Sequence, residues 1–189
     1  MGMLLSFSPF IVFALLSRVA PVTAALFAGA VVAVALVVRE RVLHKRSLKI
    51  LEAGTALLFA GLGVFVWLTA GGWSIVEVRL AVDIGLLAIV LLSMLLRQPF
   101  TLQYARERVS AEIAAMPQFL TINYIISGVW ALAFVLMVGA DFIMVFRPDV
   151  PLSVGVKVTI AALVGALWFT GWYPAHLKRK LAGRVAPTP

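Results

Sequence analysis

The chain has 189 residues, 63% hydrophobic and 13% charged, whereas soluble domains run at about 45–50% apolar and about 25% charged. A water-soluble globule is thereby excluded, because one core of this size cannot hide so much apolar surface. The net charge is +8, but the cations sit in connections between apolar runs, which points to anionic lipid headgroups and not to nucleic acid. The absence of cysteine excludes disulfides, thiol redox chemistry and cysteine-ligated metals.

Apolar runs fall at 3–17, 19–38, 50–70, 80–96, 118–140 and 151–174. Each of the last five is long enough to cross about 30 Å of hydrocarbon as a helix. The first, MLLSFSPFIVFALLS, is short. It is expected either to tilt across with Arg18 snorkelling, or to lie in the interface. It lacks the cationic start of a signal peptide and is expected to be retained. MGMLLS fits the myristoylation pattern at Gly2 with Ser6, a pattern short enough to arise by chance. The expected fold is an all-α polytopic membrane helical bundle of six transmembrane helices, with five plus an interfacial N-terminal helix as the alternative. Residues 1–174 form its single domain. Residues 175–189 are expected to be a basic, disordered tail.

Lys and Arg set the orientation. The connection RERVLHKRSLK holds Arg39, Arg41, Lys45, Arg46 and Lys49; the segment 97–119 holds Arg97, Arg106 and Arg108; the tail holds Lys178, Arg179, Lys180 and Arg184. The alternate connections hold only Arg18, Arg79, Arg147 and Lys157. A 12:4 split puts both termini and the basic connections in the cytoplasm.

The segment RQPFTLQYARERVSAEIAAMPQF, between runs four and five, interrupts the apolar pattern. Leu102, Ala105, Val109, Ile113 and Met116 recur every three or four residues, with Gln103, Arg106, Glu107 and Ser110 away from that stripe. Arg108 and Glu112 are spaced as an i,i+4 pair. Pro99 suits a helix start and Pro117 an end. The pattern predicts one amphipathic helix on the cytoplasmic membrane surface. Arg97, Arg106, Arg108, Arg39, Arg41, Lys45 and Arg46 are its candidate headgroup or docking contacts.

Ionisable residues inside a bilayer are expensive and become site candidates. Asp83, a few residues into run four, is the foremost, and Arg79 one turn earlier is its expected partner. Glu52 opens run three near Lys49 and reads as an interfacial pair. Asp141, Arg147, Asp149 and Lys157 read as a solvated cap. Asn123 and Ser127, one turn apart, are placed for hydrogen bonds across helices, worth about 1 kcal/mol. His44 and His176 lie in basic stretches without ligand spacing, and no HExxH, GxSxG or phosphate-cradling loop occurs. No catalytic, cofactor or metal site is therefore expected. Ala25, Gly29 and Ala33, and likewise Ala161 and Gly165, are spaced for close helix packing. Trp67, Trp73, Trp168, Trp172 and Tyr173 fall where aromatic belts belong.

FSPFIVFALLSR near the start, the basic connection after run two, RQPF after run four, MPQFLTINYIISGVWALAF and VGVKVTIAALVG together resemble the bacterial intracellular septation protein A family of inner-membrane proteins. That resemblance implies a small polytopic protein that affects envelope synthesis or division through membrane partners, with no catalytic residues to carry over. The expected function is a non-enzymatic inner-membrane protein acting through membrane-protein contacts, as a homo-oligomer or with other membrane proteins. The alternatives are a small transporter or channel with Asp83 and Arg79 near its path, and an accessory subunit of a larger membrane complex. A transporter should turn its intramembrane polar groups toward one cavity, whereas a scaffold should bury them pairwise.

Overall fold

A computed structural model of the chain describes residues 5–43, 48–69 and 72–185. Lys45, Arg46, His44 and the acylation candidate Gly2 lie outside the described residues. Every regular element among the described residues is helical: α1 (Ser8–Leu16), α2 (Val22–Val38, continued by a π turn over Arg39–Leu43), α3 (Ile50–Leu68), α4 (Ile75–Leu95), α5 (Phe100–Arg106), α6 (Ala111–Ala115), α7 (Pro117–Phe146) and α8 (Leu152–Val185). Four stretches, Val22–Val42, Ile50–Leu68, Pro117–Phe146 and Leu152–Lys180, are long and apolar enough to cross a membrane. α4 has 21 residues and carries Glu77, Arg79 and Asp83 near its start. α1 has nine residues, a length of about 14 Å.

The helices follow the chain as antiparallel neighbours. α1 packs on α2, α2 on α3, α3 on α4, α4 on α7, and α7 on α8. Arg39 and Arg41 after α2, Arg97, Arg106 and Arg108 after α4, and the end of α8 therefore lie at one end, here the basic end. Close approach of α2 and α3 depends on Gly29: a Cβ there would sit 2.8 Å from the Phe59 ring. Phe59 is fully buried and also packs against Phe10 and Phe13, with ring centroids at 5.0 and 5.7 Å. Ala25 and Ala33 are buried in the same seam, as their spacing predicts.

The spacing in the last helix picks the wrong face. Ala162 and Ala166 turn toward α7, while Ala161 and Gly165 face outward, and a Cβ on Gly165 would meet open space. Small residues on both sides make the two registers equivalent in sequence. α8 also runs through Pro174 to Val185, so the tail expected to be disordered from residue 175 is helical over 175–185.

The mixed segment differs most from its expectation. It forms two short helices separated by a break at 107–110, not one. Arg108 falls in the break and Glu112 in the following helix, so they do not share a helical face. Phe100, Leu102 and Tyr104 are buried in the bundle. α6 has no buried residue, and Ile113 and Met116 are 44% and 50% exposed. Polar anchoring accounts for the difference. The Schellman turn ending α4 has Arg97 in the left-handed region (φ 57°), with Gln98 N–H donating to the Ser93 carbonyl at 2.9 Å. It swings the chain back so that Phe100 N–H donates to Ser93 Oγ at 3.1 Å. Thr101 Oγ1 donates to the Asn123 carbonyl at 3.0 Å and lies 2.8 Å from Ser127 Oγ. Gln103, expected on the wet side, accepts the Ile50 N–H at 2.8 Å and caps α3. α5 is thus a plug held by side-chain hydrogen bonds. Pro117 begins α7 instead of ending a surface helix.

Candidate functional site: a cavity and two buried charge clusters

At the basic end, Lys49 is buried (2% exposed) among three carboxylates. Its Nζ lies 3.2 Å from Glu40, 3.1 Å from Glu107 and 3.7 Å from Glu52, and 5.0 Å from the centroid of the Tyr104 ring. Burial alone lowers the Lys49 pKa, but the bond to Glu107 and the charges of Glu52 and Glu40 more than offset it, leaving the value raised. Tyr104 donates to Ser6 Oγ at 2.9 Å, and Ser6 donates to Glu52 at 2.9 Å. Burial first, then Glu52, pushes the Tyr104 hydroxyl well above the usual tyrosine range. Glu52 does pair near Lys49, as its spacing suggests, but inside a network spanning the starts of α1 and α3 and the end of α5. Arg39, Arg41, Arg97, Arg106 and Arg108 are exposed around this end. Asn123 is buried and its amide donates to the Phe119 carbonyl of its own helix at 2.8 Å; its neighbour Ser127 makes the contact across helices.

The opposite end holds a different arrangement. α4 starts at a capping box: Ser74 Oγ accepts the Glu77 N–H at 3.2 Å, and Glu77 accepts the Ser74 N–H at 2.7 Å. From that fixed start, Ile75, Arg79, Asp83 and Leu86 follow at helical spacing and line one cavity of about 420 Å³. α7 adds Trp130, Phe134 and Met137, also one stripe. α1 supplies Phe10, Phe13 and, at the rim, Arg18; α8 supplies Leu152, Thr159 and Leu163. α1 and α8 face each other across the space. Along α4, from Ile75 to Leu86, the cavity extends about 17 Å, from the end of the bundle toward its middle.

Arg79 does not pair with Asp83. Its Nη2 lies 3.1 Å from Asp141 Oδ1 on α7, and among the described residues no basic nitrogen lies within 4 Å of the Asp83 carboxylate. The i,i+4 spacing allows an Arg–Asp contact, but it cannot reveal a second acid across the interface. Asp141 belongs to no solvated cap: it is 1% exposed, with Arg79 on one oxygen and Asp83 as its other polar neighbour. Arg147 and Asp149, in contrast, form an exposed pair at 3.0 Å, as their loop position suggests. The hydrogen bonds that Arg147 donates hold the Asp149 carboxyl below its ordinary pKa. Asp83 is 7% exposed and has Asp141 as an electrostatic neighbour. Two buried acids therefore share one arginine, and one of those acids faces the cavity.

Sequence reasoning gave Asp141 a surface role and left Trp130 without one. A signal for Asp141 exists, since VLMVGADFIMVF surrounds it with apolar residues on both sides. Trp130 stacks on Phe7 at 4.9 Å and meets Phe100 edge-on at 6.1 Å. Its indole N–H donates to Thr170 at 3.0 Å, so it joins α1, α5, α7 and α8 at the inner end of the cavity. No group of His, Asp and Glu able to hold a metal ion occurs among the described residues. No protein-family model, curated protein or solved structure matches the chain.

Proposed function

We propose that the chain is a small carrier or binding protein of the bacterial inner membrane that takes a small apolar or amphipathic molecule into the cavity between α1, α4, α7 and α8. One observation carries this reading: Arg79 and Asp83 both line a single apolar cavity. The volume falls within the range of about 300–1,000 Å³ used by small-molecule sites. Ionisable groups placed at membrane depth mark pathways by default. α1 and α8 do not adjoin in the chain and meet across the cavity, which suits lateral entry from lipid.

Extracts of protein purified from native membranes test the reading. The native chain should retain a molecule that the cavity-filling variant Ala14→Trp loses at equal folding. Identical extracts from both would overturn it. The proposed topology has six crossings and both termini cytoplasmic, on the 12:4 basic split. The cysteine-free background suits single-cysteine labelling, and external labelling at 184 would sink that topology.

A second reading is a contact protein of the septation type, as the family resemblance implies, alone or as an accessory subunit. It is favoured by α8, which buries one face on α7 and leaves Ala161, Gly165, Trp168 and Trp172 outward. Trp168 and Trp172 stack at 5.4 Å. Gly165→Leu should then disrupt assembly in mild detergent while leaving the cavity intact.

A further inference from the structure

We infer that the cavity selects a lipophilic or aromatic monocation, held by Asp83; this rests on the reading of the cavity as the binding site. The charges around the space decide its sign. Arg79 is engaged by Asp141 at 3.1 Å, so those two compensate each other. Arg18 is at the rim and exposed, where water and headgroups screen it. Asp83 is more than nine-tenths buried and faces the cavity. Among the described residues it has no cation within 4 Å. Two acids and one arginine leave one carboxyl in excess, and Asp83 is the one that lines the cavity; a cation entering beside it favours its ionised form. Asp83 lies eight residues into α4, about 12 Å along the helix, so the ligand's charge must enter the apolar part of the bundle. A strongly hydrated metal ion or primary amine does not tolerate that; a delocalised or shielded cation does.

The walls agree with that sign. Phe7, Phe10, Phe13, Trp130 and Phe134 line the same space, and the faces of aromatic rings attract cations once water is excluded. An amphipathic anion fits the rim, at Arg18, but would have to displace Asp141 from Arg79 and then lie against Asp83. Like-charge contact of that kind disfavours it strongly.

Tetraphenylphosphonium and tetraphenylborate, ions of one shape and opposite charge, make the test. Binding to the native chain in lipid nanodiscs is measured by calorimetry, with empty nanodiscs subtracted. The phosphonium should bind saturably and at least tenfold more tightly than the borate. Asp83→Asn should abolish that preference, Asp83→Glu should keep it, and Arg18→Gln should not reduce it. Stronger borate binding, weakened by Arg18→Gln, overturns the cation assignment and leaves the cavity standing. Binding of neither ion, or binding of both that survives Ala14→Trp, overturns the cavity reading itself. The comparison of the two ions on the native chain decides the sign even if a variant fails to accumulate.

Discussion

Arg79→Met is the perturbation with the largest expected effect on the fold. Arg79 is the cation nearest to Asp141, at 3.1 Å, with exposures of 16% and 1% for the two side chains. At that separation and an effective dielectric constant of about 20, the attraction is about 5 kcal/mol. Among the described residues no other cation lies within 4 Å of Asp141, so no other positive charge takes over. Removing one partner of a buried pair costs about 3–5 kcal/mol, and the neighbouring Asp83 places the loss toward the upper part of that range. The paired replacement Arg79→Met with Asp141→Leu removes both charges from an apolar setting and should recover most of the loss. SDS titration in mixed micelles, followed by tryptophan fluorescence, measures both. A loss below about 1 kcal/mol for the single variant, or no recovery in the double one, would refute the assignment of Arg79 as the partner of Asp141.

Asp83→Asn removes one of two neighbouring acids without breaking an ion pair, so its stability in the same titration should stay within about 0.5 kcal/mol of native; a loss of several kcal/mol would show Asp83 to be structural. Gly29→Ala drives a Cβ into the Phe59 ring and should cost about 1–3 kcal/mol by overpacking, measured as a lowered midpoint. Lys49→Met leaves Glu52 buried without its cation and should cost about 3 kcal/mol near neutral pH. The Lys49 pKa is raised above 10.5 in the folded chain. Its stabilisation is therefore fully present below pH about 10.5 and fades as pH rises through the folded value, so native and Lys49→Met stabilities should converge only in strong alkali. Gln103→Leu removes the acceptor for the Ile50 N–H and should cost about 1 kcal/mol, whereas a wholly solvated Gln103 would make it neutral.

The family resemblance and the septation role rest on sequence pattern alone. The helical membrane class did not need the fold: apolar runs of about 20 residues separated by basic connections admit little else, because a bilayer leaves no backbone group unpaired. The seam of Ala25, Gly29 and Ala33 was legible for a related reason, since helical spacing of small residues aligns them on one face whatever the partner. The same logic misplaced Ala161 and Gly165, because two adjacent registers were equally small and only contact with α7 chooses between them. α5 was legible as amphipathic but not as buried. Its burial comes from Ser93 at the preceding turn and from Ser6, Asn123 and Ser127, whose side chains and carbonyls are distant in sequence and carry no periodic mark. The candidate site shows the same division. Asp83 and Arg79 announce themselves as charges within an apolar run, a local and costly feature. Which acid Arg79 meets is decided by the rotation of α7 against α4, which brings Asp141 across 62 residues of chain. Pairing energies fall off over a few ångströms, so they belong to the packed bundle and leave no trace in spacing along one helix.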